Sequence, residues 1–276
     1  MSSHLAEVPG GTLYYQARGT GPALILSCGG PGNADTLAPL AESLRDIYTV
    51  ITYDRRGYYR SHLEDPAEQA GIARHSDDLR RLVAHLGTGP AAVFGTSFGA
   101  LIALDLAAAA PAAISTLVVH EPPLGQVLPV AERQSFDLNL DGEPDAAAAL
   151  NAIAASVGVK RGLPGDGPAR RPAGGEGGAS GPRPEDVELF IRRDAPAIGD
   201  YHLDLNQLGA MTGRITVTAS EEGRDFYPYQ CAQRLATCLG TRLVELPGNH
   251  AGMIQQPAEF ADRLRSLLRQ PPASCS

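Results

Sequence analysis

Residues 91–109 read AAVFGTSFGALIALDLAAA, and this stretch decides the fold. The apolar run 91–96 is typical of a strand buried on both faces, and 98–109 predicts a helix. Between them, Gly95 to Gly99 follow the pattern Gly-x-Ser-x-Gly. The two glycines remove side chains where such a turn must pack closely. The stretch therefore predicts a strand, a sharp turn and a helix, with Ser97 held on the turn.

The alternation of short apolar runs and helical patterns continues on both sides of this unit. Further strands are predicted at 12–17, 23–28, 48–53, 114–119, 214–219 and 241–246, and further helices at 34–44, 69–86, 229–239 and 257–268. Strands that alternate with helices indicate a mainly parallel sheet covered on both faces. We therefore expect an α/β fold with a central sheet flanked by helices.

One long insertion separates the fourth buried strand from the last two strands. Residues 122–209 show no strong strand signal, and helices are predicted at 146–157 and 186–193. The stretch 158–184 is rich in Gly, Pro and Arg and is expected to be a mobile lid segment that orders on ligand binding. We therefore divide the chain into a core domain, 1–121 with 210–276, and a helical cap, 122–209, over the edge where ligands bind in open α/β sheets.

A histidine follows the last predicted strand. The loop 246–252 reads LPGNHAG and places His250 near the carboxyl edge of the sheet. None of the other six histidines, at positions 4, 62, 75, 85, 120 and 202, lies on this loop. A neutral imidazole can take a proton from a serine hydroxyl and return it to a leaving group. The pair therefore predicts Ser97 as nucleophile and His250 as general base.

Two regions compete to supply a carboxylate for His250. Glu121 follows the strand predicted to end at residue 119, whereas Glu222 and Asp225 follow the strand predicted to end at 219. Both strand ends point to the same edge of a parallel sheet, so a carboxylate from either can reach the imidazole. The second region also has the composition of a solvated charged loop.

Three further motifs complete a resemblance to the α/β-hydrolase superfamily that covers nearly the whole chain. Residues 28–32, CGGPG, resemble the family's oxyanion loop, and 53–57, YDRRG, resemble the loop after the next strand. Residues 120–123, HEPP, are similar to the subgroup whose acid follows the strand after the nucleophile, as in zearalenone lactonases. The Gly-Asp-x-Asp pattern usual for an acid in the later region is missing near Ser220. The resemblance therefore implies Glu121 as the acid, with Asp225 and Glu222 as alternatives.

The resemblance also implies an oxyanion hole. The backbone N–H of Phe98, the residue after the nucleophile, is one expected donor, and Gly30 is expected to supply the second. Cys28 stands where the family usually has histidine. The Asp54-Arg55-Arg56 stretch is expected to form structural ion pairs beneath the loop.

The expected reaction is hydrolysis of a carboxylic ester or lactone through an acyl-enzyme, with no cofactor and no metal. A serine nucleophile disfavours the related haloalkane dehalogenases and epoxide hydrolases, which need a carboxylate. Carbon–carbon bond hydrolysis with the same triad and a non-hydrolytic ligand-binding role stay open as alternatives. We expect a medium-sized, mostly apolar small-molecule substrate. The candidate residues for the lining of its pocket are Phe136, Leu138, Leu189, Phe190, Ile191, Tyr201, Met253 and Ile254.

The composition excludes several classes of partner. The formal net charge is −8, whereas nucleic acids and anionic membranes attract basic surfaces. The four cysteines form no C-x-x-C pair or metal-ligand spacing, and the first nine residues lack the features of a signal peptide. We therefore expect a cytoplasmic protein without nucleic-acid or membrane partners, and the sequence leaves its oligomeric state open.

Overall fold

The computed structural model describes residues 1–65, 68, 70–133, 145–159, 182–211 and 213–269. Within these ranges, nine strands form one sheet in the order β1-β2-β4-β3-β6-β7-β8-β9, and β5 pairs with β2. The strands are β1 Ser2–Val8, β2 Gly11–Arg18, β3 Ala23–Ser27, β4 Thr49–Tyr53, β5 His62–Leu63, β6 Ala91–Thr96, β7 Ile114–His120, β8 Ile215–Ser220 and β9 Leu243–Leu246.

Six neighbouring strands of this sheet, from β4 to β9 in spatial order, are parallel, and the N-terminal strands pair antiparallel at one edge. The predicted mainly parallel sheet is therefore confirmed. The helices are α1 Ala38–Leu44, α2 Ile72–Leu86, α3 Phe98–Ala109, α4 Val130–Arg133, α5 Ala146–Ser156, α6 Pro184–Leu189, α7 Ala195–Asp200, α8 Tyr227–Cys238, α9 Gly252–Gln255 and α10 Pro257–Leu268.

Alternate residues of the central strands supply two separate hydrophobic cores. Ile25 and Val93 face a core that includes side chains of α2, α3 and α8, whereas Leu24, Leu26 and Phe94 face a core with α1 and α10. This is the two-residue repeat of a strand buried on both faces. It explains why these strands appear in the sequence as continuous apolar runs.

The insertion between β7 and β8 contains α4 to α7 and a 3₁₀ turn at Leu205–Met211. Residues 186–193 are helical as predicted, but they do not form one regular α-helix: α6 ends at Leu189, and a π turn, Phe190–Asp194, connects it to α7. Pro196 has no N–H to donate to the carbonyl four residues earlier, which disfavours a regular α-helix at this point. Most of the predicted lid segment 158–184, together with candidates Phe136 and Leu138, lies outside the described residues.

Candidate active site

The turn between β6 and α3 holds Ser97 in a conformation that few residues adopt. Its backbone has φ 53° and ψ −123°. A Cβ on Gly99 would lie 2.2 Å from the carbonyl oxygen of Ser27, and one on Gly95 would lie 2.6 Å from the carbonyl oxygen of Gly99. Close backbone packing therefore requires glycine at both positions that flank the turn on which Ser97 lies.

Backbone strain concentrates at this site. In the described part of the chain, positive φ values at non-glycine residues occur at Tyr59, Ser97 and Glu121, and that of Glu121 is 47°. Such conformations cost free energy and cluster at functional sites, where packing holds them. Two of these three residues are predicted members of one triad.

Glu121 lies beside Ser97 because their strands are neighbours. Thr96 at the end of β6 pairs with His120 at the end of β7, and the Ser97 N–H donates to the His120 carbonyl at 2.9 Å. The Glu121 Oε2 atom lies 2.5 Å from Nδ1 of His250, which is presented by the loop after β9. The structure thus brings the predicted nucleophile, acid and base to one edge of the sheet.

A second set of contacts fixes the other oxygen of the carboxylate. Glu121 Oε1 accepts hydrogen bonds from the Ser220 backbone N–H at 2.9 Å and from the Ser220 hydroxyl at 2.5 Å. A Cβ on Gly223 would lie 2.1 Å from that hydroxyl oxygen and 2.9 Å from Glu121 Oε1. Gly223 therefore leaves the space in which the carboxylate is held.

Electrostatics keep the buried Glu121 ionised. Burial acts to raise the pKa of this carboxyl group, but the hydrogen bond to His250, the charges of His120 and His250 and the bond from Ser220 together lower its pKa to about 2. Its side chain is 1% exposed, so this balance comes from protein groups rather than water. An ionised carboxylate on Nδ1 orients the imidazole and stabilises its protonated form.

The alternative acids lie elsewhere. Glu222 and Asp225 are both exposed, and the backbone N–H of Glu222 donates to the carbonyl of Gly248 at 3.0 Å. Their loop therefore supports the backbone of the histidine loop. The end of β8 contributes Ser220, which donates to the Glu121 carboxylate, and no local sequence pattern indicates this role.

The predicted oxyanion loop packs against the nucleophile. A Cβ on Gly29 would lie 2.7 Å from Cβ of Ser97. Gly30 has φ +50°, and a Cβ there would face open space. Phe98 begins α3, and the first turn of a helix has backbone N–H groups without intrahelical partners. Cys28 is buried, which raises the pKa of its thiol to about 11 despite the nearby Arg55.

Ion pairs are present in the loop after β4, where they were expected. Asp54 Oδ2 accepts from Arg60 Nε at 2.7 Å, and the buried Arg56 pairs with Asp78 at 2.6 Å. Arg55 also donates to the oxyanion loop, from Nη1 to the Cys28 carbonyl at 3.0 Å and from Nη2 to the Gly30 carbonyl. The sequence indicated a structural role for Arg55 but not this target.

His120 was set aside because it does not lie on the loop between the last strand and the last helix, and the structure places it at the end of β7. Its ring is fully buried, with Nδ1 3.1 Å from the Thr218 hydroxyl and Nε2 3.9 Å from Glu121 Oε2. Burial lowers the pKa of His120 to about 4, against the opposing effect of the Glu121 charge. Its imidazole is therefore neutral near neutral pH, and its charge acts on Glu121 only when the pH falls towards about 4.

The candidate lining residues that the structure describes belong mainly to the core. Phe190 is buried, with its ring 6.0 Å from that of Phe98, and the half-buried Tyr201 donates to Asp105 at 2.9 Å. Met253 is buried and Ile254 is 39% exposed. Within the described ranges, no group of three or more His, Cys, Asp or Glu side chains is placed to hold a metal ion, and no helix is both long and apolar enough to cross a membrane.

Comparisons with known proteins agree with this architecture. A family model for the alpha/beta hydrolase fold matches residues 22–152. The uncharacterized hydrolase YraK of Bacillus subtilis (strain 168) is 34% identical over 273 residues, which cover 96% of this chain and 95% of that protein.

Two solved structures share the fold at low identity. Est816, an N-acyl homoserine lactone degrading enzyme, is 20% identical with a TM-score of 0.66, over 95% of this chain and 99% of that one. A thermophilic esterase from Thermogutta terrifontis is 20% identical with a TM-score of 0.62, over 98% of both chains.

Proposed function

The chain belongs to the α/β-hydrolase fold family, and on that premise we propose that it is a serine hydrolase that cleaves a carboxylic ester or lactone. One observation carries the proposal. The ionised Glu121 lies 2.5 Å from Nδ1 of His250, beside the strained turn that presents Ser97. A nucleophile, a base and an acid that orients the base are the three groups that acyl transfer by serine requires.

The roles follow from which atoms are already engaged. Because Glu121 holds Nδ1, Nε2 is the ring nitrogen that takes the Ser97 proton as the hydroxyl oxygen attacks the substrate carbonyl. The protonated imidazole, stabilised by the carboxylate, then returns this proton to the leaving alcohol, or to the ring oxygen of a lactone. Water attacks the resulting acyl-enzyme by the same proton transfers in reverse order.

The developing oxyanion is assigned to two backbone donors. The N–H of Phe98 lies in the first turn of α3, where the helix dipole favours negative charge. The N–H of Gly30 is the second donor, and the contact of Gly29 with Ser97 supports this placement. Cys28 does not alter the assignment, because both donors belong to the backbone.

We assign the cap role to the insertion, 122–209. Tyr201 of the insertion donates a hydrogen bond from its hydroxyl to Asp105 of α3 at 2.9 Å. Phe190 contacts Phe98 beside the nucleophile. These contacts support an insertion that is docked on the core and borders the site.

The substrate class is proposed from chemistry and from relatives together. A serine nucleophile with an oxyanion hole suits an ester carbonyl, and a pocket lined by apolar side chains suits acyl chains. A lactonase and an esterase share the fold, which makes both substrate types the first to screen.

The test is steady-state hydrolysis of p-nitrophenyl esters of increasing acyl length, alongside a panel of acyl lactones. We expect multiple turnover by the wild type and a loss of at least about 10³-fold for Ser97→Ala and His250→Ala. Saturable binding with one turnover or none would refute the proposal and favour a ligand-binding role.

A further inference from the structure

A buried carboxylate from the insertion enters the core close to the nucleophile. Asp194, at the end of the π turn, is fully buried, and its Oδ2 accepts a hydrogen bond from the Tyr58 hydroxyl at 2.7 Å. Oδ1 lies 3.2 Å from Nε2 of His75 and 3.1 Å from Nε of Arg193. Burial raises the pKa of Asp194, but the charges of His75, Arg55 and Arg193 outweigh this effect, so the group is an anion.

Arg55 is the cation that connects this anion to the oxyanion loop. Its guanidinium is 2% exposed, and its Nε atom has no hydrogen-bond partner among the described residues but lies 3.8 Å from Asp194 Oδ2. Its carbon Cζ stands 4.7 Å from the centre of the Tyr58 ring and 5.1 Å from that of Phe98. One guanidinium thus touches Phe98 and, through Nη1 and Nη2, the Cys28–Gly30 turn.

Because a peptide unit is planar, these contacts fix the direction of the Gly30 N–H. Arg55 holds the carbonyls of Cys28 and Gly30, which fixes the peptide planes before and after the Gly29–Gly30 peptide. The carbonyl of Gly29 accepts from the Gly32 N–H at 3.1 Å. The Gly30 N–H points opposite to that carbonyl, so its direction is set by three held carbonyls in a row.

From this geometry we propose that Arg55 and Asp194 form a positioning pair through which the docked insertion sets the alignment of the oxyanion hole. The inference rests on the proposed hydrolase function and assigns neither residue a contact with substrate. A buried cation without its counter-ion is costly, so removing the charge of Asp194 weakens the hold of Arg55 on the loop. The loss appears in the transition state, where the oxyanion forms, rather than in substrate binding.

The test compares Asp194→Asn with the matched control Asp186→Asn. Asp186 is an equally buried carboxylate of the same insertion, but it accepts from the Tyr59 N–H at 3.1 Å and pairs with Arg183. With an ester that the wild type turns over, we expect kcat of Asp194→Asn to fall at least tenfold while KM stays within about twofold. Asp186→Asn should keep kcat within about twofold, at whatever cost to its thermal stability.

A second pair of measurements separates positioning from general damage. Arg55→Lys keeps the charge but loses the fork that reaches two carbonyls, so kcat should fall to a similar extent. The fold-loss of kcat in the Arg55→Lys, Asp194→Asn double variant should be smaller than the product of the two single fold-losses, because both substitutions impair the same alignment of the oxyanion loop. Tyr58→Phe, which removes one hydrogen bond to Asp194, should lower kcat by a smaller factor and provides the test if Asp194→Asn fails to fold.

Three results would overturn the pair: an unchanged kcat in Asp194→Asn and Arg55→Lys, equal losses of kcat in Asp194→Asn and Asp186→Asn, or fully multiplicative effects in the double variant. A wild type that turns over no ester or lactone refutes the proposed function itself, whereas an active wild type with insensitive variants refutes the pair alone.

Discussion

Replacing Glu121 by glutamine exchanges one oxygen for an amide nitrogen at nearly constant volume, and the contacts of this side chain dictate where the nitrogen lies. The Ser220 backbone N–H, 2.9 Å from Oε1, can only donate, so the amide oxygen must take the Oε1 position. The NH₂ group then faces Nδ1 of His250. To accept from this group, Nδ1 must lose its proton to Nε2.

That tautomer cannot act as the base, because Nε2 no longer has a lone pair to receive the Ser97 proton. A neutral amide also gives no charge to stabilise the imidazolium. We therefore expect kcat of Glu121→Gln to fall by about 10⁴-fold, the size seen when a triad carboxylate becomes an amide. This loss corresponds to about 5.4 kcal/mol in the activation free energy.

The assay is steady-state ester hydrolysis, with circular dichroism and thermal unfolding to show that the variant is folded. Glu222→Gln and Asp225→Asn are matched controls, because both carboxylates are exposed, and each should keep kcat within about twofold. If Asp225→Asn or Glu222→Gln lost several orders of magnitude while Glu121→Gln stayed within tenfold, the assignment of the acid would be refuted.

Three further predictions follow from the same geometry. Gly29→Ala places a Cβ 2.7 Å from that of Ser97, so kcat should fall by roughly 10²-fold in a folded protein; near-normal kcat would contradict the packing. Gly99→Ala places a Cβ 2.2 Å from the Ser27 carbonyl oxygen and should lower the free energy of unfolding in urea by about 3 kcal/mol. Because its pKa is lowered, ionised Glu121 stabilises the folded protein above pH 4.5, and this stabilisation is lost as the pH falls towards about 2. Glutamine does not titrate, so the free energy of unfolding of the wild type should approach that of Glu121→Gln as the pH is lowered from 6 to 3.

Local sequence signals were sufficient for the central part of the fold. β6 and α3 have the predicted bounds, 91–96 and 98–109, because a doubly buried strand and an apolar helix carry strong patterns of their own. The edge strand β1 was not predicted, since its first four residues are exposed and leave no apolar alternation. The start of α1 was predicted four residues early, at 34, because Asn33 Oδ1 binds the N–H groups of Asp35 and Thr36 in a turn before the helix.

The candidate site likewise contains residues that the local sequence indicates and residues that it does not. Ser97 and His250 lie on loops whose sequence indicates them directly, whereas Glu121 was favoured over Glu222 and Asp225 only by the family resemblance, and its contact with His250 appears only in the tertiary structure. Two strand ends reach the same edge, and sequence spacing alone does not tell which one faces His250. The contact of Asp194 with Tyr58 joins residues 136 apart, and no periodicity within either segment encodes it.

The most direct test of the central claim, an activated Ser97, is covalent labelling with a fluorophosphonate followed by intact-protein mass measurement. A single adduct on the wild type and none on Ser97→Ala is the predicted result. Labelling should also be slowed strongly in His250→Ala, because the same base activates the hydroxyl. An unlabelled wild type, or equal labelling of the wild type and Ser97→Ala, would contradict the account.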